Sequence, residues 1–147
     1  MVHALLEIQG VLKSDGRLID LRPLLDRWPV EVSWPDGHQE AGRATDLSEP
    51  LADDAAANSA MAELVAAGRL IRERGEVFSI FYYWDTAKEM QEYIAEEWSD
   101  VVEFQESLWS GLRSAWATAD AQARVRLRVK MLITRYRMDQ GSQNEGL

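Results

Sequence analysis

Side chains that could carry chemistry fall mainly into two stretches of the sequence. Aromatic residues fill positions 81–84 and Asp85 follows them, a combination that can line a pocket where a strand ends. Core packing explains the same run and is the commoner role of such residues. If a small-molecule pocket is present there, we expect it to be lined by Tyr82, Tyr83 and Trp84.

Positions 124–130 form the second stretch, in which cations alternate with apolar residues. The period of two predicts a strand, and cations along one strand face could bind an anion or a nucleic acid. The formal net charge of −9 argues against nucleic acid as a partner, because a polyanion would be repelled at long range. We therefore interpret the cations as a solvated strand face, paired with the acidic block at positions 85–106.

Composition removes several other kinds of site. The chain has no cysteine and its only histidines are His3 and His38, so thiolate and histidine-rich metal sites are excluded. Only an all-carboxylate site is left open, and we predict no metal-binding residue. No Ser-His-Asp, Cys-His or paired-carboxylate pattern stands out, and we predict no catalytic residue. The apolar runs are too short to span a bilayer and the start lacks a signal-peptide pattern, so we expect a cytoplasmic protein without a membrane partner.

The segment at positions 4–23, ALLEIQGVLKSDGRLIDLRP, organises the rest of the prediction. Apolar residues at helical spacing predict a helix up to Leu12, and the Ser-Asp-Gly sequence at positions 14–16 ends it. Positions 17–21 then read as a short strand, which Pro23 closes because proline cannot donate to a ladder. Helix, tight turn and strand together are half of a crossover unit.

This segment resembles class I S-adenosylmethionine-dependent methyltransferases at the point where the fourth helix runs into the fifth strand, where the common wording is close to EI-x-RVLKPGGRLL-D. The match is carried by Glu7, Ile8, Val11, Leu12, Lys13, Gly16, Arg17, Leu18 and Asp20. The resemblance implies an α/β fold equivalent to the C-terminal half of a Rossmann-like methyltransferase, with a mixed sheet and an antiparallel last strand. It also implies that Asp20 and Arg22 lie near substrate at the end of the fifth strand, although an ion pair explains them as well.

The family's cofactor site lies upstream of this segment, at a Gly-rich loop. No such loop after a strand occurs in the sequence, so the resemblance implies no cofactor-binding residue and no cofactor, with S-adenosylmethionine bound only if another chain completes the site.

The remaining pattern predicts a hairpin that turns at positions 34–38 and a helix from Ser48 to about Gly68. A strand at 76–84 is apolar on both faces, so we expect both faces to be covered. Two inserted helices at 86–98 and 103–118 follow, and then a last strand at 123–138, which the resemblance places between the family's fifth and sixth strands. Thr86 and Glu89 fit a capping box. We expect one domain over positions 1–139 and a disordered tail at 140–147.

Two functions follow from these patterns. The first is a methyltransferase-related domain, not catalytic on its own, that acts through homodimerisation or partner binding; a dimer is expected because a fifth strand without its usual neighbour exposes ladder groups. The alternative is an S-adenosylmethionine-dependent methyltransferase or a small-ligand-binding protein whose pocket is completed by a second chain.

Overall fold

Strands hold more of the described residues than helices do. The computed structural model describes residues 16–24 and 27–138, together with Glu7, Val11 and Lys13. The elements are β1 (Arg17–Pro23), β2 (Trp28–Trp34), β3 (Gly37–Asp46), α1 (Ser48–Ala66), β4 (Leu70–Trp84), α2 (Ala87–Glu97), β5 (Val102–Glu103), α3 (Glu106–Ala117) and β6 (Arg124–Met138). The predicted first helix falls mostly, and the tail at 140–147 wholly, outside the described residues.

The sheet is mostly antiparallel, so the predicted Rossmann-like α/β fold is wrong. Hydrogen bonds order the strands β1-β6-β2-β3-β5, with β4 paired to β6. β2 runs antiparallel to both β3 and β6, and β3 runs antiparallel to β5. A parallel neighbour needs a crossover of a dozen or more residues, whereas only positions 35–36 separate β2 from β3. The last strand does pair with both β1 and β4, as expected.

Several local predictions are confirmed. The hairpin joins β2 to β3 through Pro35 and Asp36. The two inserted helices are present as α2 and α3. The capping box forms before α2, where Thr86 Oγ1 accepts from the Glu89 amide at 3.1 Å and the Glu89 carboxylate accepts from the Asp85 amide at 3.0 Å.

The chain forms two compact units, each assembled from separate parts of the sequence. Unit 1 contains the described residues within Met1–Arg22, Ala52–Val77 and Leu132–Leu147. Its core joins Met61 and Leu64 of α1 to Leu70 and Tyr136. The helix ends at Gly68, which adopts a left-handed φ of 69°, as a C-terminal cap requires. The expected single domain stays a prediction.

Unit 2 contains the described residues within Pro23–Leu51 and Phe78–Met131. Helices α2 and α3 pack on one face of its sheet, and each fully buried apolar side chain there contributes about 1.5–3 kcal/mol. The core is formed by Val30, Val32, Met90, Ile94, Leu108, Leu112, Val125, Leu127 and Val129. α3 approaches β3 so closely that a Cβ on Gly111 would lie 2.2 Å from the Ala41 carbonyl oxygen.

β4 is an edge strand, since among the described residues its hydrogen-bonded neighbour is β6 alone. The prediction that both its faces are covered is wrong, because large apolar side chains are exposed on each face. They are Val77, Phe81 and Tyr83 on one face and Phe78 and Tyr82 on the other. In the part of the chain that is described, no helix combines the length and the apolar character needed to cross a bilayer.

Candidate functional site

A buried carboxylate lies in the middle of the unit 2 sheet. Glu31 is the direct cross-strand partner of Arg126, and Arg126 Nε lies 2.6 Å from Glu31 Oε2. The other carboxylate oxygen, Oε1, lies 3.1 Å from Arg128 Nη2 and 3.7 Å from His38 Nε2. We call Glu31, His38, Arg126 and Arg128 the Glu31 cluster. It joins the hairpin of β2 and β3 to β6.

Alternation along β2 explains why this carboxylate is on the face opposite the helices. Val30 and Val32 point into the core under α2 and α3, so Glu31 between them points away. Its side chain is nevertheless only 1% exposed, because the long side chains of Arg126 and Arg128 lie over it. Burying a charge is expensive unless it is paired, and two guanidiniums supply that pairing.

The electrostatics of the cluster centre on Arg126. Burial lowers the pKa of Arg126, but its hydrogen bonds to Tyr83 and Glu31 and the negative charge of Glu31 outweigh this effect, and the pKa is raised above the ordinary arginine value. Two buried atoms of the cluster, Glu31 Oε1 and Arg128 Nε, lack a hydrogen bond of regular geometry. The Glu31 carboxylate is almost fully enclosed by Arg126 and Arg128 and is therefore not open to a substrate.

Aromatic rings of β4 extend the charged face. The Arg126 guanidinium lies 4.7 Å from the centroid of the Phe81 ring, and the Arg124 guanidinium lies 5.3 Å from that of Tyr83. These are cation–π distances. Arg124 also pairs with Asp85 at 2.8 Å. The face therefore alternates cations with exposed rings, and its charges are largely satisfied within unit 2.

The structure separates the aromatic residues that the sequence grouped as a pocket. Tyr82 and Trp84 stack with centroids 6.4 Å apart, and both belong to the face that carries α2: Tyr82 meets Trp98 at 4.9 Å, and Trp84 meets Tyr93 at 5.6 Å. Tyr83 lies on the opposite face, against Arg124. Tyr82 and Trp84 thus belong to one packed aromatic cluster, whereas Tyr83 makes a separate contact on the opposite, exposed face.

Asp20 and Arg22, the other two predicted pocket residues, belong to β1 in unit 1. Arg22 Nη2 lies 2.7 Å from Asp20 Oδ2, and Arg22 Nη1 donates to Asn58 Oδ1 at 2.8 Å. Both side chains are mostly buried. Asp20 and Arg22 thus form an ion pair, which is the alternative to a role in substrate binding for these two residues.

Sequence reasoning missed the Glu31 cluster. The cations at 124–130 were expected to face acidic helices, but Arg126 and Arg128 pair with Glu31, and of these three arginines only Arg124 reaches the acidic block, at Asp85. One signal was available: a single carboxylate between apolar residues in a half-buried strand needs a cation, and β6 offers several on one face.

Comparison with protein families, with curated proteins and with solved structures found no match to this chain. Among the described residues, no group of three or more histidine, aspartate or glutamate side chains is arranged to hold a metal ion. The case for function therefore depends on the geometry of the two units.

Proposed function

We propose that this chain is a methyltransferase-related, non-catalytic domain that acts by self-association through the edge of β4. The relation to methyltransferases is supported by the opening segment, in particular Lys13, Gly16, Arg17, Leu18 and Asp20. The non-catalytic part is supported by the Glu31 cluster, whose charges are committed to one another. Self-association is the part that a structural feature supports directly.

That feature is the unprotected edge at positions 78–84, within unit 2. The sequence FSIFYYW contains no charge, no proline and no glycine. Its side chains at Phe78, Phe81, Tyr82 and Tyr83 are between 37% and 44% exposed. Proteins usually protect a sheet edge with charges, proline or a very short strand, because free N–H and C=O groups pair with any extended chain.

The other outer strands show these protections. β1 carries Arg17, Asp20, Arg22 and Pro23, and β5 is only two residues long. β4 itself is charged at positions 72–74 and 76, so protection is missing only from its second half, at positions 78–84. An edge that is left without charges is expected where a strand is normally paired.

A second copy of the chain is the partner that fits this edge. Two identical edges pair antiparallel about a two-fold axis perpendicular to the sheet, which gives a closed dimer and continues the sheet across it. About this axis, the face of β4 that carries Phe81 and Tyr83 lies on the same side of the continuous sheet in both copies. Each copy carries a net charge of −9, so the copies repel one another at long range, and added salt should strengthen the dimer by screening that repulsion.

Sedimentation velocity on the full chain tests the proposal. We expect a species of twice 16.7 kDa. Replacing Phe78 by Lys puts a charge on the edge and should weaken the dimer by roughly tenfold or more. The matched control is Val65→Lys, which places the same charge on an exposed apolar position of α1 and should leave the dimer intact.

Circular dichroism must show that both variants are folded. A wild-type chain that sediments as a monomer at about 100 µM, well above the dissociation constant of most stable dimers, would contradict the proposal. So would a Phe78→Lys variant that dimerises as strongly as the wild type.

A further inference from the structure

Three arginines surround one glutamate in unit 1. Arg17 Nε lies 3.3 Å and Arg135 Nε 2.8 Å from Glu73 Oε2, and Arg137 Nε lies 3.7 Å from Glu73 Oε1. The residues come from β1, β4 and β6. We call these four residues the Glu73 cluster.

The cluster has more positive than negative charge. Arg17 also interacts elsewhere, whereas Arg135 and Arg137 share the single carboxylate of Glu73, so these two arginines carry one positive charge in excess in a chain whose net charge is −9. The glutamate side chain is 20% exposed, whereas the three arginines are between 43% and 53% exposed. The cations are therefore open to solvent, unlike Arg126 in the Glu31 cluster, which is 17% exposed.

A cavity of about 250 Å³ adjoins this charge and is lined by Ile19, Arg74, Glu76, Ile133 and Arg135. Arg74 and Glu76 pair with each other, so their charges cancel. Arg135 belongs to both the cavity and the Glu73 cluster. Ile19 is half exposed, which leaves apolar surface beside an unbalanced cation.

We propose that the Glu73 cluster and this cavity bind a small organic oxyanion, with its carboxylate or phosphate group on the arginines and a short apolar body against Ile19 and Ile133. Guanidinium groups match such oxyanions because their planar forks donate two parallel hydrogen bonds. The two isoleucines give the apolar body a surface to cover. Oxyanion binding at this site does not require self-association, so the proposal can hold even if the chain is a monomer.

Titration calorimetry of the full chain with phenyl phosphate at low ionic strength tests the site. We expect a dissociation constant of about 1 mM, as for other ligands of this size at open sites. Benzoate, with the same apolar body and a carboxylate, should bind as well, although more weakly. Inorganic phosphate should bind more weakly than phenyl phosphate, and phenol, which lacks the anion, should not bind.

Substitutions distinguish a ligand-binding role of the Glu73 cluster from a purely structural one. Arg135→Gln and Arg137→Gln should each weaken phenyl phosphate binding by about fivefold, as expected for exposed charge pairs. Arg113→Gln is the control, since Arg113 pairs with Glu106 on the surface of α3 in unit 2, and it should bind like the wild type. Glu73→Gln removes the competing carboxylate and should tighten binding by about threefold, which loss of a structural ion pair would not do.

Circular dichroism of each variant confirms that it is folded. The proposal is overturned if phenyl phosphate gives no heat up to about 20 mM, a range that covers weak ligands of this size. It is also overturned if Arg113→Gln weakens binding as much as Arg135→Gln does, or if Glu73→Gln weakens binding instead of tightening it.

Discussion

Glu31 on β2 and Arg126 on β6 are direct cross-strand partners, and their side chains meet with 2.6 Å between Oε2 and Nε. The two residues are 95 positions apart in the sequence. A slip of one residue between these strands would place Glu31 opposite Val125 or Leu127, with no cation across from it. The pair therefore specifies the register between the hairpin and the last strand.

Removing one member of this pair should be costly. We expect Glu31→Met to lower the free energy of unfolding by about 2–4 kcal/mol, because it leaves the partly buried guanidiniums of Arg126 and Arg128 without their carboxylate. The double variant Glu31→Met with Arg126→Met should recover part of that loss, since it removes two charges together. Urea unfolding followed by circular dichroism measures these differences, and the single variant Arg126→Met completes the cycle.

The exposed pair of Glu106 and Arg113 is the control for that cycle. Its double-mutant coupling should be below about 1 kcal/mol, as for other surface ion pairs. A Glu31→Met variant as stable as the wild type would show that the Glu31 cluster does not hold the sheet together.

The stabilisation from Arg126 should not change with pH across the usual working range. The pKa of Arg126 is raised in the folded chain by Tyr83 and Glu31, against the effect of burial. A group whose pKa is raised on folding contributes stability below its unfolded pKa and loses it only as the pH rises through the folded value. We expect the difference in unfolding free energy between the wild type and Arg126→Met to stay constant between about pH 7 and about pH 10.

Gly111 should not tolerate even a methyl group. A Cβ at this position would lie 2.2 Å from the Ala41 carbonyl oxygen, and backbone cannot move aside as a flexible side chain can. We expect Gly111→Ala to destabilise unit 2 by about 1–3 kcal/mol, despite the better helix propensity of alanine. Ser110→Ala, one position earlier on the exposed side of α3, is the control in the same thermal unfolding assay and should change stability little. A Gly111→Ala variant with wild-type stability would show that α3 and β3 are less closely packed than the structure has them.

S-adenosylmethionine should not bind to this chain. The sequence has no Gly-rich loop following a strand, the feature that holds the cofactor in the family that the opening segment resembles. We expect neither heat in a calorimetric titration nor a shift of the melting temperature. Saturable binding would instead favour the alternative function, a methyltransferase or ligand-binding protein completed by a second chain.

Local chemistry predicted the elements well. Proline and glycine marked the β2–β3 turn, Thr86 and Glu89 marked the start of α2, and Gly68 marked the end of α1, because each of these signals acts within a few residues. The alternation of Arg126 with its apolar neighbours gave the last strand. These signals need no knowledge of distant contacts.

Pairing between distant strands was not predictable in the same way. The resemblance of the opening segment implied a Rossmann-like α/β fold with a mixed sheet, but a helix, turn and strand signature is compatible with more than one sheet arrangement. The burial of Glu31 depends on β6, which follows at the other end of the sequence, so its apolar neighbours in β2 indicated the need for a cation but not the strand that supplies it. The separation of Tyr83 from Tyr82 and Trp84, by contrast, follows from the alternation of side chains along a strand, although the elements that each face meets do not.

The uncharged run at positions 78–84 has a further consequence when the chain is unfolded. A seven-residue segment of high β-propensity with no charge and no proline is a nucleus for aggregation, and the folded chain leaves its edge open as well. Recovery of the folded chain after heating should therefore fall as protein concentration rises, and thermal unfolding should be irreversible. The stability of the protein on storage will therefore depend on how rarely β4 detaches from the sheet.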